Sequence, residues 1–520
     1  MKYIAIFLVL LCCFIGAASA AEDVSTDLSD SLDSVDYAVA VDAVSEDASD
    51  SVQAEPTTDS SDDTTEEQII NDTNDVEQTD DSTVADPLPT RANDVYVSDW
   101  SNLRYYGMLS GTDYTINLNA PIIVGSTILT FGNSATIIGT SNNFITGGSS
   151  SKIPFQSTGS LNIKFVNVTF KNMDASVLIK LATTGTNQFI NCSFDNIHTY
   201  AYKSSVIWND KGYMNISGCN FTNCNNGFGV ITNYATSGTV QMNVENCRFE
   251  DNAGRLEPGA INNCGDLNVT NCTFIHNTAG WWAGAIHTHT NSYTRIIEST
   301  FTDNVAGWNG GALFTYGKLE VINSTFTDNN CTTNTGGGAI CGYSYQGSIY
   351  NITVDSCNFT HNLNKNSNGR GGAIGVQNIG YLTVFNSIFM NNNNATNGTA
   401  ISAICEDVTY CNNCTNCSCP NCPNCENCSH NVSTGDPDAI IYNNTFINHG
   451  GPGDTVVISG NDYIFYDNRF VNSVQTVHYN ESGNQYGLTS SVLNSKQHNI
   501  LSSQLSGNIL SLTWDCPIIV

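Results

Sequence analysis

The sequence predicts an all-β chain: a parallel β-helix of about a dozen rungs, each of three short strands, preceded by a disordered acidic spacer. Three observations carry this expectation. A phrase ending on Phe, with Asn three residues later, recurs as "VENCRFEDN", "VTNCTFIHN", "IIESTFTDN", "VINSTFTDN", "VDSCNFTHN" and "VFNSIFMNN", mostly at spacings of 24 to 30 residues, a solenoid period. A second phrase ("PGAI", "AGAI", "GGAL", "GGAI") follows 11 to 14 residues after the Phe, so each period holds more than one strand. The apolar alternation also changes phase once inside the period, which one continuous strand cannot do.

Taken from the N-terminus, residues 1–20, "MKYIAIFLVLLCCFIGAASA", read as a secretory signal peptide: one Lys, an apolar run and an A-x-A-like ending. Residues 21–93 form the spacer. Between Ala21 and Thr90 there are 22 Asp and Glu and no Lys or Arg, with few large apolar residues, so burial cannot offset the entropy of ordering. Residues 94–480 are assigned to the β-helix and 481–520 to a C-terminal cap or tail. A net charge of −31 gives no support for nucleic-acid binding. No stretch after the signal is long enough to cross a membrane, so no span is expected in the mature chain, which is placed outside the cell or on its surface.

Within the rung, an apolar residue stands five before each Phe (Val244, Val269, Ile296, Val321, Val354, Val384) and a small one two before it (Cys247, Cys272, Ser299, Ser324, Cys357, Ser387). Five and two differ in parity, so both face inward only if the chain bends between them. The residue at that point is often Asn (Asn167, Asn191, Asn246, Asn271, Asn323, Asn386, Asn443) or Gly218, types that tolerate a left-handed backbone. The rung is then three strands, headed by the G-A-I, apolar-x-Val and Cys-x-Phe phrases, with Phe stacked on Phe. Asn167, Asn191, Asn271 and Asn323 are expected to be buried in the bend and unmodified. Cys192, Cys219, Cys247 and Cys272 share one inward row and are expected to be buried thiols, because parallel in-register side chains rarely suit a disulfide dihedral. A propeller is the rival all-β architecture, but its blades need a period of about 40 residues.

F-x-x-N paired with G-G-A-[I/L/V] resembles the repeat of the chlamydial polymorphic outer-membrane proteins and of the adhesin-like surface proteins of methanogenic archaea. The match is strong from about Phe249 to Ala400 and looser from Tyr114 to Phe470, where "ATIIGTSNNFITGG" resembles an opening coil. The resemblance implies a right-handed β-helix displayed outside the cell, with adhesion to surface glycans or surface proteins of other cells as its role. Signal, acidic spacer and Asn/Thr-rich coil look more like the archaeal group.

Candidate chemistry is sparse. Polysaccharide lyases and hydrolases also use β-helices, but they need a base beside Ca²⁺-binding carboxylates or a carboxylate pair. Arg255, Arg295 and Arg370 occupy different places in their rungs and converge on no such pair, so the chain is not expected to be an enzyme. A carbohydrate-active enzyme is the rival class and a passive stalk or surface-layer component the third. Trp281 aligns with Trp308, with Trp282 alongside, in "GWWAGAI" and "GWNGGAL"; stacked indoles suit the apolar faces of sugar rings, and equally suit packing within a loop. Asp303 and Asp328, two after the Phe on adjacent rungs, are the place for a Ca²⁺, although a polar turn row explains them as well and no cofactor is expected. Asn394, Asn397 and Asn431 are the favoured glycosylation sites. The Cys-rich insertion 405–436 carries Cys405, Cys411, Cys414, Cys417, Cys419, Cys422, Cys425 and Cys428; in an exported chain these are expected to pair as disulfides, of unknown connectivity, with metal binding as the alternative reading of C-x-x-C.

Overall fold

The computed structural model describes residues 93–515, without 237, 333–335, 344–349, 367–368, 378–380, 393–397, 406–438, 450–453, 461, 474–476, 480–483, 494–498 and 507–508. The expected signal (1–20), nearly all of the expected spacer (21–93) and almost the whole Cys-rich insertion (405–436) lie outside these residues.

From Asp94 onward the chain winds as a parallel β-helix. One rung contains the strands Ile261–Asn263, Asp266–Thr270, Thr273–Ile275 and Thr278–Ala279; the next contains Ile286–Thr288, Tyr293–Ile297, Thr300–Thr302 and Val305–Ala306. Each strand pairs in parallel with its equivalent: Ile261 with Ile286, Val269 with Ile296, Phe274 with Phe301, Ala279 with Ala306. The bend between the apolar-x-Val and Cys-x-Phe phrases is present, and its residues adopt positive φ: 54° at Asn246, 50° at Asn271, 49° at Asn323 and 63° at Gly218.

Two expectations are corrected. The rung has four short strands rather than three, because a second left-handed corner follows two residues after the Phe, at Asp251, His276, Asp303, Asp328 and His361, with φ between 51° and 56°. The bend asparagines are also exposed rather than buried: Asn167, Asn191, Asn271 and Asn323 all face solvent. A left-handed corner turns its own side chain outward, where the amides form an external ladder; the Asn271 Nδ2 donates to Asn246 Oδ1 at 2.7 Å.

Residues immediately after each corner turn inward and carry a second kind of bond. Their backbone N–H points at the next rung's side chain rather than its carbonyl. After the first corner, Cys192 N–H donates to Cys219 Sγ (3.3 Å), Cys272 N–H to Ser299 Oγ (3.1 Å) and Cys357 N–H to Ser387 Oγ (3.0 Å). After the second, Asn252 N–H and Nδ2 both donate to Asn277 Oδ1, and the pattern repeats through Asn304, Asn329, Asn362 and Asn392. The inward cysteines are buried thiols as expected, and they also serve as acceptors.

Between the two corners the phenylalanines form one continuous stack: Phe170, Phe194, Phe221, Phe249, Phe274, Phe301, Phe326, Phe359, Phe389, Phe446 and Phe470. Neighbouring ring centroids are 4.7–5.1 Å apart with planes within 18°. Strand spacing of ~4.8 Å sets that distance. Each buried ring contributes roughly 1.5–3 kcal/mol of hydrophobic stabilisation.

The Gly of the G-A-I phrase marks a close approach. A β-carbon on Gly311 would lie 2.1 Å from the Gly338 carbonyl oxygen, and one on Gly338 would lie 2.1 Å from that of Gly372. Below the coil lies a helix the sequence reading did not foresee, Trp100–Met108, whose N-cap Asp99 accepts from Asn102 N–H at 2.8 Å. Its Trp100 and Leu103 enter the core, and the Trp100 ring meets Phe155 edge-on at 5.3 Å, so it covers apolar surface that the first rungs leave open. After Leu493 the pairing becomes antiparallel, Asn499–Ser506 against Ile509–Asp515.

Candidate functional site

The strand that begins with the Ile or Leu of G-A-I has alternating faces. Its first residue enters the core, and its second points away from it. In successive rungs that second position holds Thr232, Asn262, His287, Phe314 and Cys341 in register. These residues are nevertheless buried, because the loops entering each strand fold back over them.

Two of those loops are "GWWAG" and "GWNGG". Trp281 stacks on Trp308 at 5.3 Å with an 18° angle between planes, and the Trp308 backbone N–H donates to the Trp281 carbonyl. Trp308 is 46% exposed. Trp282 turns the other way: it stacks on Phe314 at 5.7 Å, meets Tyr316 edge-on, and joins a satellite cluster of Ala283, Phe314 and Cys341. Trp281 and Trp308 thus form an outer ladder, and Trp282 packs beneath it.

Behind Trp282 lies a polar cluster that the sequence reading missed. Glu257 comes from the loop of "RLEPGAI", and His287 and His289 come from "AIHTHT" one rung further on. The residues i and i+2 of an extended segment face the same way, so both imidazoles project from the same flank. Nδ1 of His287 lies 2.6 Å from Glu257 Oε2, Nε2 of His289 lies 4.0 Å from that oxygen, and the two rings are 4.1 Å apart. His289 Nε2 also contacts Asn262 Oδ1 at 2.8 Å. The walls are aromatic: Phe228 beside His289, with Trp282, Phe314 and Tyr316 around His287. Burial pushes His287 and His289 down to about 3 and raises the Glu257 carboxyl, since each group resists charge in that setting. Two imidazoles and one carboxyl facing one another are donors suited to a divalent transition metal. The signal available in the sequence was His-Thr-His at strand period, one rung after an acid in the covering loop.

The other predicted sites fall elsewhere. Asp303 and Asp328 occupy the second corner, each half-exposed and each beside an imidazole: Asp303 lies 3.4 Å from His276 Nε2 and Asp328 lies 3.7 Å from His361 Nδ1. Their row runs Asp251, His276, Asp303, Asp328 and His361 along the surface, with Asp251 3.5 Å from His276 and the two candidate carboxylates on adjacent rungs. Arg295 pairs with Glu320 at 3.0 Å, and Arg255 donates to the carbonyls of Thr199 and Ala201, so neither faces the cluster's carboxyl. Cys405 closes the strand Ile401–Cys405; Cys411, Cys414, Cys417, Cys419, Cys422, Cys425 and Cys428 lie outside the described residues, as do Asn394, Asn397 and Asn431. Among the described residues no helix is long and apolar enough to cross a membrane. No protein-family model matches the chain, and no curated protein matches it.

Proposed function

We propose that the chain is a secreted or cell-surface β-helix that mediates attachment, and that its glycan contact is the Trp281–Trp308 ladder. The observation that carries this reading is an indole stack left partly open to solvent: Trp308 is 46% exposed and stacks on Trp281, whereas the repeat's own ring stack, Phe249, Phe274, Phe301 and Phe326, is wholly buried. An exposed indole presents a flat apolar face and a ring N–H, and the C–H faces of a pyranose match the former. Trp282 fixes the loop from beneath, so the ladder is held rigid before any ligand arrives, which lowers the entropy cost of binding. The signal peptide and the F-x-x-N/G-G-A-I resemblance support the extracellular setting.

Binding of the purified chain to a glycan array tests this. Wild type is expected to retain a defined set of glycans, and Trp308→Ala and Trp281→Ala to lose at least tenfold in affinity while keeping the β-sheet circular-dichroism spectrum. Absence of any glycan binding by wild type would favour a passive stalk role instead.

A further inference from the structure

We propose that Glu257, His287 and His289 form a binding site for one divalent late transition-metal ion, of which Zn²⁺ is the best match. The inference does not rest on the attachment reading.

Three observations support it. The first is convergence: one carboxylate oxygen and one nitrogen from each of two imidazoles lie within 4.8 Å of one another. Ligand atoms at ~2.1 Å in tetrahedral array stand ~3.4 Å apart, so the 2.6 Å His287–Glu257 contact has to open by under ~1 Å and the 4.0 Å His289–Glu257 contact to close slightly. The second is orientation. His287 is fully buried, its Nε2 has no hydrogen-bond partner, and its one hydrogen-bonding contact is that of Nδ1 with Glu257, so the cluster alone holds the polar edge of the ring. The third is setting. The aromatic rings of Phe228, Trp282, Phe314 and Tyr316 wall the cluster, so Glu257 is the carboxylate that would balance an ion's charge beside the two imidazole donors.

Donor chemistry selects the ion. Imidazole nitrogen with one carboxylate suits Zn²⁺, Co²⁺ or Ni²⁺, whereas Ca²⁺ and Mg²⁺ require oxygen ligands in greater number. Three protein ligands would leave a position for water or an outside donor, and Trp282, against both the His287 ring and Trp308, stands between the cluster and the indole ladder.

The test uses the full chain, freed of metal by a chelator and then loaded with Zn²⁺ or Co²⁺. Because the cysteines of the 405–436 insertion also attract these ions, Co²⁺ absorption separates the two sites: nitrogen and oxygen ligands give weak visible bands, thiolates an intense near-ultraviolet charge transfer. The expected result is one equivalent of Co²⁺ with the weak-band signature, lost in Glu257→Gln and in His289→Asn, with at least a tenfold fall in Zn²⁺ affinity at that site. If either variant fails to fold, wild type alone decides: Zn²⁺ should raise its Tm after the insertion's thiols have been alkylated, and Ca²⁺ should not. Absence of a nitrogen/oxygen Co²⁺ spectrum in wild type, or its persistence in both folded variants, overturns the proposal.

Discussion

At the scale of single residues, the molecule depends on two rows that sit just inside the left-handed corners. Each Asn of the inner row satisfies groups on two other rungs: Asn304 receives the N–H and Nδ2 of Asn277 on Oδ1, and gives its own Nδ2 to the Phe274 carbonyl and to Asn329. Asn304→Leu should therefore cost about 1–3 kcal/mol for each buried group left without a partner, more than its added apolar area returns. Phe301→Ala, which leaves a void between Phe274 and Phe326, should cost about 3–5 kcal/mol; chemical denaturation measures both. Acid should also weaken the fold. His287 and His289 are held near 3 against an ordinary 6.5, so between those values an unfolded chain binds protons that the folded chain refuses. Their contribution is complete above about pH 6.5 and is lost as the pH falls toward 3. Glu257, raised above its usual 4.5 by burial, acts oppositely, its contribution being lost as the pH rises. A metal-free sample should thus melt at lower temperature at pH 5 than at pH 7, and replacing both histidines by Gln should shrink that difference to the part due to His449, which burial lowers to about 4.

At the scale of the element, the sequence announced its strands by parity and its first corner by Asn. Val269 and Cys272 could not both face inward without a break, and the break stands at Asn271 with φ of 50°. The second corner was less legible because, over the rungs where the repeat is clearest, it carries Asp251, His276, Asp303, Asp328 and His361, while its asparagines stand nearer the ends of the coil, as at Asn172, Asn196 and Asn448. Exposure of the bend asparagines was misjudged for a related reason. Parity says which residues share a face, but a left-handed corner interrupts the alternation and turns its own side chain out. The helix Trp100–Met108 was hidden by a low amphipathic signal over nine residues; only Asp99, its cap, marks it in the sequence. The Gly of G-A-I is a close-approach position, so Gly311→Ala should push that rung away from Gly338 and destabilise the coil locally. Hydrogen exchange should show faster opening of the strands around Leu313 and Ile340 while the rungs near Phe170 keep their protection.

At the scale of the whole coil, self-similarity made the architecture readable, and departures from self-similarity locate the chemistry. Repeated positions serve stacking: Phe on Phe, Asn on Asn, Ala on Ala. The candidate sites lie where the repeat is broken, with two tryptophans in the "GWWAG" loop, a third in the next, His287 on a strand whose equivalents carry Asn262 or Phe314, and His289 just past its end. Such singular residues carry no periodic signal, so the indole ladder is legible only where two loops align, and the Glu257–His287–His289 cluster is not legible in the repeat at all. The assembly of that cluster from two rungs depends on the register, a property of the coil rather than of any local motif. The central claim is that the outer face of the indole ladder receives sugar. The most direct measurement is a crystal structure of the chain with a glycan selected on the array: a pyranose ring lying flat against Trp308 and contacting Trp281 is the expected result, and a glycan seated on another rung, with both indoles uncontacted, would contradict it.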